Sequence, residues 1–173
     1  MNGIAAWKPE KGLDGYDRAA VAIVKDENGN LLFHHRSAEA KITPNQIIFW
    51  GGSPDKFIHS PEDTILGKIK NKLGVEINRQ HLQTIGPFQK LKKYHGVDGK
   101  IFVFSIRIIS TQLTLKEGRL FSAPEDLIRQ CVVLDNPPGE IPSECLVLLA
   151  EFSKFSLLTI EVLKFIYGPK SRA

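Results

Sequence analysis

The sequence predicts an α+β fold in which a mixed β-sheet is flanked by helices. Short apolar runs with strand character alternate with segments of helical periodicity, and no internal repeat or low-complexity stretch interrupts them. A chain of 173 residues is large enough to bury a core of its own. We therefore expect a single domain over residues 1–173, with its core at about residues 19–130 and C-terminal helices at about residues 142–168.

The first part of the chain is predicted to supply the early strands of the sheet. Three apolar runs have strand character: residues 19–24, 31–36 and 47–50. The Asn28-Gly29 step between the first two runs is a strong signal for a β-hairpin. The third run leads into Gly51 and Gly52, which allow a tight backbone turn.

The segment from Ser60 to Gly74 carries the clearest helix signals. Ser60 suits the N-cap, Pro61 the first helical position, and Asp63 the acidic first turn. Gly74 suits the position that follows the last helical turn. Four apolar residues recur at helical spacing: Ile65, Leu66, Ile69 and Leu73. At about 100° per residue, four others are expected to share the opposite or flanking face: Thr64, Lys68, Asn71 and Lys72.

The later segments extend the same alternation. Residues 84–89 and 101–109 read as strands, and the basic residues 90–100 between them read as a turn or loop. Residues 117–130 are predicted to run from a strand into a helix, and residues 142–167 to form one or two helices.

Composition excludes several classes of protein. Two cysteines, Cys131 and Cys145, make no disulfide framework and no zinc motif, and a reducing cytoplasm is the expected compartment. The N-terminus lacks the layout of a signal peptide, and charged residues interrupt the apolar residues 146–166, so no membrane contact is expected. The net charge of +4 is compatible with a phosphate-bearing ligand. The basic residues 90–95 are too few to indicate a nucleic-acid partner.

Residues 51–75, GGSPDKFIHSPEDTILGKIKNKLGV, resemble the Nudix box, the loop–helix–loop signature of the Nudix hydrolases. The preceding residues 31–52, LLFHHRSAEAKITPNQIIFWGG, are similar to the same family, nearest its isopentenyl-diphosphate-isomerase-like and hydrolase branch. The isomerase itself is not expected, since no cysteine stands near the double glycine. The resemblance implies the Nudix fold, an α/β/α sandwich, with a cleft that receives a diphosphate compound.

The acidic letters of the Nudix box are missing from this chain. The pattern has four carboxylates and one guanidinium at five positions, with a net charge of −3. Here two lysines and three neutral residues occupy them and carry +2: His59, Gly67, Lys68, Asn71 and Lys72. A charged ammonium group has no acceptor for a metal, and Mg²⁺ takes oxygen ligands. We therefore expect no catalytic residues, no cofactor, and loss of Mg²⁺-dependent hydrolysis.

Three functional hypotheses follow from these changes. The first is a non-catalytic domain that binds a nucleotide or another phosphate-bearing small molecule, since lysine binds phosphate as a point charge. Its predicted ligand-binding residues are Lys68, Asn71, Lys72, His59, Gly51, Gly52 and Asp55.

The second hypothesis is a protein-interaction module that uses residues 146–166, and either a protein partner or a homo-oligomer fits it. The third is a divergent hydrolase of nucleoside diphosphate derivatives that binds Mg²⁺ through relocated ligands. The candidates for those ligands are Asp55, Glu62, Asp63, Glu76 and Glu117. The pair His34 and His35 is predicted to lie at a strand end, with one side chain pointing inward and the other outward.

Overall fold

Seven strands and four helices form the parts of the chain that the structure describes. The structure is a computed structural model, and it describes residues 18–52, 60–94, 97–133 and 143–168. The strands are β1 Arg18–Lys25, β2 Asn30–His35, β3 Ile47–Ile48, β4 Trp50–Gly52, β5 Gln83–Tyr94, β6 Val97–Arg107 and β7 Arg119–Pro124. The helices are α1 Pro61–Leu73, α2 Glu125–Val133, α3 Ser143–Glu151 and α4 Leu157–Tyr167.

Strand β1 lies at the centre of a single mixed sheet. It runs parallel to β6 along one edge. Its other edge is shared: the first half pairs antiparallel with β4, and the second half pairs antiparallel with β2. Strand β2 in turn pairs with β3 and β7, and β5 pairs with β6. The mixed sheet that the sequence predicts is confirmed.

Side chains of β1 alternate between two apolar layers, as the period of a strand requires. Ala20, Ala22 and Val24 face the layer that contains Ile65 and Ile69 of α1. The residues between them face the other layer, which contains buried side chains of α2, α3 and α4. Helices therefore cover both faces of the sheet, and the predicted α/β/α sandwich is confirmed.

Helix α1 begins and ends where its sequence signals place it. The Ser60 hydroxyl accepts a hydrogen bond from the Asp63 backbone N–H at 3.0 Å, and Pro61 is the first helical residue. Gly74 has a left-handed φ of 68° and donates its N–H to the Lys70 carbonyl at 3.0 Å. The Asn28-Gly29 hairpin between β1 and β2 is also present, with Gly29 at a φ of 80°.

Two expectations about strands were wrong. The basic residues 90–100, predicted as a turn or loop, lie mostly in β5 and β6, and only residues 95–96 fall outside the described strands. The glycines and polar residues there favour a turn locally, but a long antiparallel ladder with several register shifts carries the strands through them. The run at residues 47–50 divides at Phe49, whose N–H donates to Thr159 Oγ1 at 3.3 Å instead of continuing one strand.

The C-terminal segment forms two helices, α3 and α4, separated by a 3₁₀ turn over Phe152–Lys154. In the part of the chain that the structure describes, no helix combines the length and apolar character that crossing a bilayer requires.

Candidate functional site

The double glycine of β4, Gly51 and Gly52, has a backbone conformation that leaves no room for a side chain beside β1. Gly51 has a φ of 148°, and a Cβ atom at this position would lie 2.0 Å from the Ala20 carbonyl oxygen. Only glycine can occupy such a position, because any side chain would overlap the neighbouring backbone. This part of β4 therefore presents bare backbone to the residues that pack on its other side.

Two lysines of α1 pack on that side. The Lys72 Nζ donates a hydrogen bond to the Gly51 carbonyl at 2.8 Å. The side chain of Lys68 lies against Gly52, where an added Cβ would be 3.4 Å from Lys68 Cε. Because residues four apart lie on the same helix face, both ammonium groups meet at the double glycine. Four of the predicted ligand-binding residues are therefore brought together.

The predicted face of α1 needs correction at Thr64, and its other members point in different directions. Thr64 is buried, and its hydroxyl donates to the Ser60 carbonyl at 3.0 Å, which ties it to the helix start. Asn71 is exposed, and its side chain makes no hydrogen bond to another described residue. The reason is angular: residue 71 is turned about 100° from residue 72, so Asn71 points to solvent while Lys68 and Lys72 point to the sheet. His59 and Asp55, also predicted to bind ligand, lie outside the described residues.

A third cation and one carboxylate complete the site. Arg36 follows β2, and its Nε lies 3.7 Å from Glu117 Oε2. Glu117 precedes β7; its Oε1 accepts the Ser37 backbone N–H at 2.7 Å, and its Oε2 lies 3.1 Å from His34 Nε2. We call Lys68, Lys72 and Arg36 the cationic cluster. Sequence reasoning assigned no role to Arg36, although it stands within the stretch that resembles the Nudix family.

His34 forms the inner wall of this site. Its side chain is buried and its ring stacks on Trp50, with ring centroids 4.8 Å apart and planes inclined by 6°. His35, the next residue, is half-exposed, so the predicted inward and outward pair is confirmed. Gly118 has a φ of 70°, and a Cβ there would lie 2.9 Å from His34 Nε2. This glycine lets Glu117 approach the imidazole closely.

The electrostatics of the site centre on Lys72. Burial, together with the charges of Arg36 and Lys68, lowers the pKa of Lys72 to about 8, while the charge of Glu117 acts in the opposite direction. Burial also lowers the pKa of His34, although Glu117 partly opposes that effect. The charged form of Lys72 is therefore disfavoured by its surroundings, which among the described residues hold two other cations and one carboxylate.

Burial alone would raise the pKa of Glu117. The hydrogen bond from Ser37 and the charges of His34 and Arg36 outweigh that effect and lower the pKa overall. Glu117 is consequently held as a carboxylate, already hydrogen-bonded within the protein.

Comparison with solved structures decides the fold. The chain superimposes on the Nudix domain of NrtR from Shewanella oneidensis, solved in complex with ADP-ribose, with a TM-score of 0.54 and 13% identity over 86% of this chain and 94% of that chain. The chain has the Nudix fold. A MutT protein from Methanosarcina mazei Go1 matches with a TM-score of 0.51 and 12% identity over 79% of this chain and 91% of that one.

A MutT/Nudix family protein from Enterococcus faecalis matches with a TM-score of 0.51 and 16% identity over 68% of this chain. That match spans 48% of the E. faecalis chain, about half its length. No protein-family model matches the sequence, and no curated protein matches it. At these identities the comparisons establish the Nudix fold alone.

Most of the carboxylates proposed as relocated Nudix metal ligands lie elsewhere. The Asp63 carboxylate accepts from the hydroxyl of the N-cap Ser60 and pairs with Arg79. The Glu76 carboxylate accepts from Lys70 Nζ at 2.6 Å on the exposed side of α1. Glu62, in the first turn of α1, is half-exposed and suits the positive end of the helix dipole. Asp63 and Glu76 therefore already have partners near the two ends of α1.

Of the described candidates, only Glu117 reaches the cationic cluster. Mg²⁺ prefers several oxygen ligands, and one carboxylate beside three cations does not provide them. Among the described residues, no three His, Cys, Asp or Glu side chains are grouped so that they could hold a metal ion. The donors that the structure describes on α1 and around it therefore do not fit the Mg²⁺ that the Nudix fold implies.

Proposed function

We propose that this protein binds a phosphate-bearing ligand, a nucleotide or a related diphosphate compound, through Lys68, Lys72 and Arg36. The observation that carries this proposal is that two lysines meet at the double glycine, with Arg36 near enough to act on the charge of Lys72. Among the described residues, Glu117 is the one carboxylate that acts on Lys72. Such an excess of positive charge, partly removed from water, favours an anion as its partner.

Each cation of the cluster suits phosphate in a different way. Lysine provides a point charge, and arginine provides a planar pair of N–H donors that match two phosphate oxygens. The Lys72 ammonium donates one of its three N–H groups to the Gly51 carbonyl, and the other two can donate to a ligand. A bound anion would also oppose the repulsion that lowers the pKa of Lys72, so ligand binding and protonation of Lys72 favour each other.

ADP-ribose is a reasonable first ligand to test, since the structurally similar Nudix domain of NrtR was solved with it. The binding we propose requires no metal, because Lys68 and Lys72 occupy positions at which the Nudix box has carboxylates, and their positive charges contact the phosphate directly. Titration calorimetry with ADP-ribose and with ADP, in the presence of EDTA, should therefore detect binding.

Matched variants of α1 distinguish a specific role of the cationic cluster in ligand binding from an effect of the general surface charge. Lys68→Ala combined with Lys72→Ala should abolish binding, because both ammonium groups at the double glycine are lost. Lys70→Ala is the control, since Lys70 is 60% exposed and pairs with Glu76, and its substitution removes one positive charge from the same helix. Equal affinity in the double variant and in the control would contradict the proposal.

The pH dependence gives a second test. Lys72 loses its charge as the pH rises through about 8, so affinity for the anion should fall there. Lys72→Ala should bind more weakly at pH 7 and lose this part of the pH dependence. A wild-type affinity that is constant from pH 7 to about 9.5 would count against a role for Lys72.

Hydrolysis by a divergent Nudix site is the competing activity, and Glu117 is the residue on which it would depend. We expect no Mg²⁺-dependent release of phosphate or nucleoside monophosphate from a panel of nucleoside diphosphate derivatives. Release that Glu117→Gln abolishes, while Glu76→Gln leaves it unchanged, would support the hydrolase instead.

A second candidate function is protein interaction through α3. Leu146 is 53% exposed and Val147 is 70% exposed on this helix, although Cys145 and Leu148 are buried in the protein's own core. Light scattering of the wild type and of Leu146→Gln tests it: a dimer that the substitution dissociates would support an interaction surface. A monomer in both cases would leave the ligand-binding function as the better account.

A further inference from the structure

The amine of Lys72 has the surroundings of a reactive nitrogen as well as those of an ion-pairing group. Its Nζ is half-buried, it is fixed by one hydrogen bond to the Gly51 carbonyl at 2.8 Å, and two other cations face it. In the described residues around it, one carboxylate, Glu117, faces the same group.

We propose that Lys72 is a site of reversible carbamate formation, at which its amine adds carbon dioxide. The Nζ lone pair attacks the carbon of CO₂ and forms an N–C bond, while one C=O electron pair moves onto oxygen. The nitrogen then loses one proton to water. The product is an N-carboxylate, and no oxidant, reductant or further reactant is needed.

The reaction requires the neutral amine. With a pKa of about 8, roughly a quarter of Lys72 is neutral at a pH of about 7.5, whereas a lysine with the ordinary pKa of about 10.4 is neutral about once in a thousand. The cause is the burial of Nζ and the proximity of Arg36 and Lys68. The local structure thus raises the concentration of the reactive form by about two orders of magnitude.

The surroundings also suit the product. The carbamate nitrogen keeps one N–H, which can still donate to the Gly51 carbonyl. The new carboxylate would have Lys68 and Arg36 as cationic neighbours, and the charge of the site would change from two positive to none. A carboxylate would then stand at the position where the Nudix box has its last glutamate.

Lys70 provides an internal comparison on the same helix. Its side chain is 60% exposed, and its Nζ already contacts the Glu76 carboxylate at 2.6 Å. A carbamate on Lys70 would therefore meet a like charge, whereas one on Lys72 would meet two opposite charges.

This modification does not depend on the phosphate ligand proposed above, but it would oppose that ligand. Carbamate formation replaces a cation of the cluster by an anion, so CO₂ should weaken binding of an anionic ligand. The modification is detected directly on the full chain without any phosphate compound, so the two proposals can fail separately.

The experiment is chemical trapping of the carbamate. The full chain is equilibrated with CO₂ and bicarbonate at a pH of about 7.5, alkylated with triethyloxonium ion to fix any carbamate as an ester, and examined by peptide mass spectrometry. We expect the ester on Lys72 and not on Lys70, and its loss when CO₂ is removed before trapping.

Three variants make the result specific to this site. Lys72→Arg should lose the adduct while keeping the positive charge of the site. Glu117→Gln should increase the occupancy, because it removes the one like charge that the carbamate meets and keeps an oxygen for the Ser37 N–H. Lys68→Gln should decrease it. Circular dichroism would establish that each variant is folded. Absence of an adduct on Lys72 at saturating CO₂, or equal occupancy on Lys70 and Lys72, would overturn the proposal.

Discussion

Replacing Lys72 with methionine should stabilise the protein at neutral pH, although it removes a residue that we place in the binding site. The pKa of Lys72 is lowered from 10.5 to about 8 by burial and by its cationic neighbours. At about 1.4 kcal/mol for each pH unit of such a difference, the charged side chain destabilises the folded state by roughly 3 kcal/mol. Methionine loses the hydrogen bond to Gly51, worth about 1 kcal/mol, so the expected net gain is about 2 kcal/mol.

The direction of the pH dependence follows from proton linkage. Below pH 8 the lysine is protonated in both the folded and the unfolded state, and the full penalty is present. Between the folded value of about 8 and the unfolded value of 10.5, the unfolded state binds the extra proton, so the stability of the wild type rises with pH relative to the variant. The advantage of Lys72→Met should therefore shrink as the pH increases through this window.

Urea unfolding of the wild type and of Lys72→Met, at several pH values from 7 to about 10, measures this difference directly. Lys70→Met is the matched control, because Lys70 is exposed and its substitution should change the free energy of unfolding by no more than about 0.5 kcal/mol. If Lys72→Met is less stable than the wild type at pH 7 and the difference does not change with pH, the folded state does not disfavour the charged form of Lys72. Both proposals about this residue would then lose their physical basis.

Three further predictions concern the scaffold. Gly51→Ala should destabilise the protein by about 3 kcal/mol or more, because the new Cβ would lie 2.0 Å from the Ala20 carbonyl; thermal unfolding followed by circular dichroism measures this. Glu125→Gln should lower the free energy of unfolding, measured in urea, by about 1–2 kcal/mol. The reason is that the Glu125 carboxylate accepts from Lys25 Nζ and from the Tyr167 hydroxyl, both at 2.9 Å. A free energy of unfolding within about 0.3 kcal/mol of the wild type would contradict that role. Cys131 should react with N-ethylmaleimide only after unfolding, because burial raises the pKa of its thiol to about 12; fast labelling of the native protein, followed by mass spectrometry, would show otherwise.

The local signals in the sequence predicted local structure well. Ser60, Pro61 and Gly74 placed both ends of α1, and the Asn28-Gly29 step placed the first hairpin. These features depend on hydrogen bonds and backbone angles within a few residues, so a short segment of the sequence is enough to predict them. The same reasoning failed at residues 90–100, where turn-forming residues lie within a ladder whose pairing depends on a distant strand.

The functional site could be predicted only in part. The spacing of Lys68 and Lys72 indicated one shared helix face, and the structure places both at the double glycine. Asn71 is exposed while Lys68 and Lys72 contact the double glycine, because helical angles give the direction of a side chain but not the position of the sheet on which the helix packs. Ligand binding by these residues, and by His59 and Asp55, stays a prediction.

By itself, the sequence determined the fold class, the ends of α1 and the replacement of carboxylates by lysines. Only the tertiary structure decided that Arg36, from the end of β2, and Glu117, from the segment before β7, meet those lysines. It also decided the unusual pKa of Lys72. The reason is that the charge state of an ammonium group depends on its burial and on all nearby charges, and here those charges come from segments far apart in the chain.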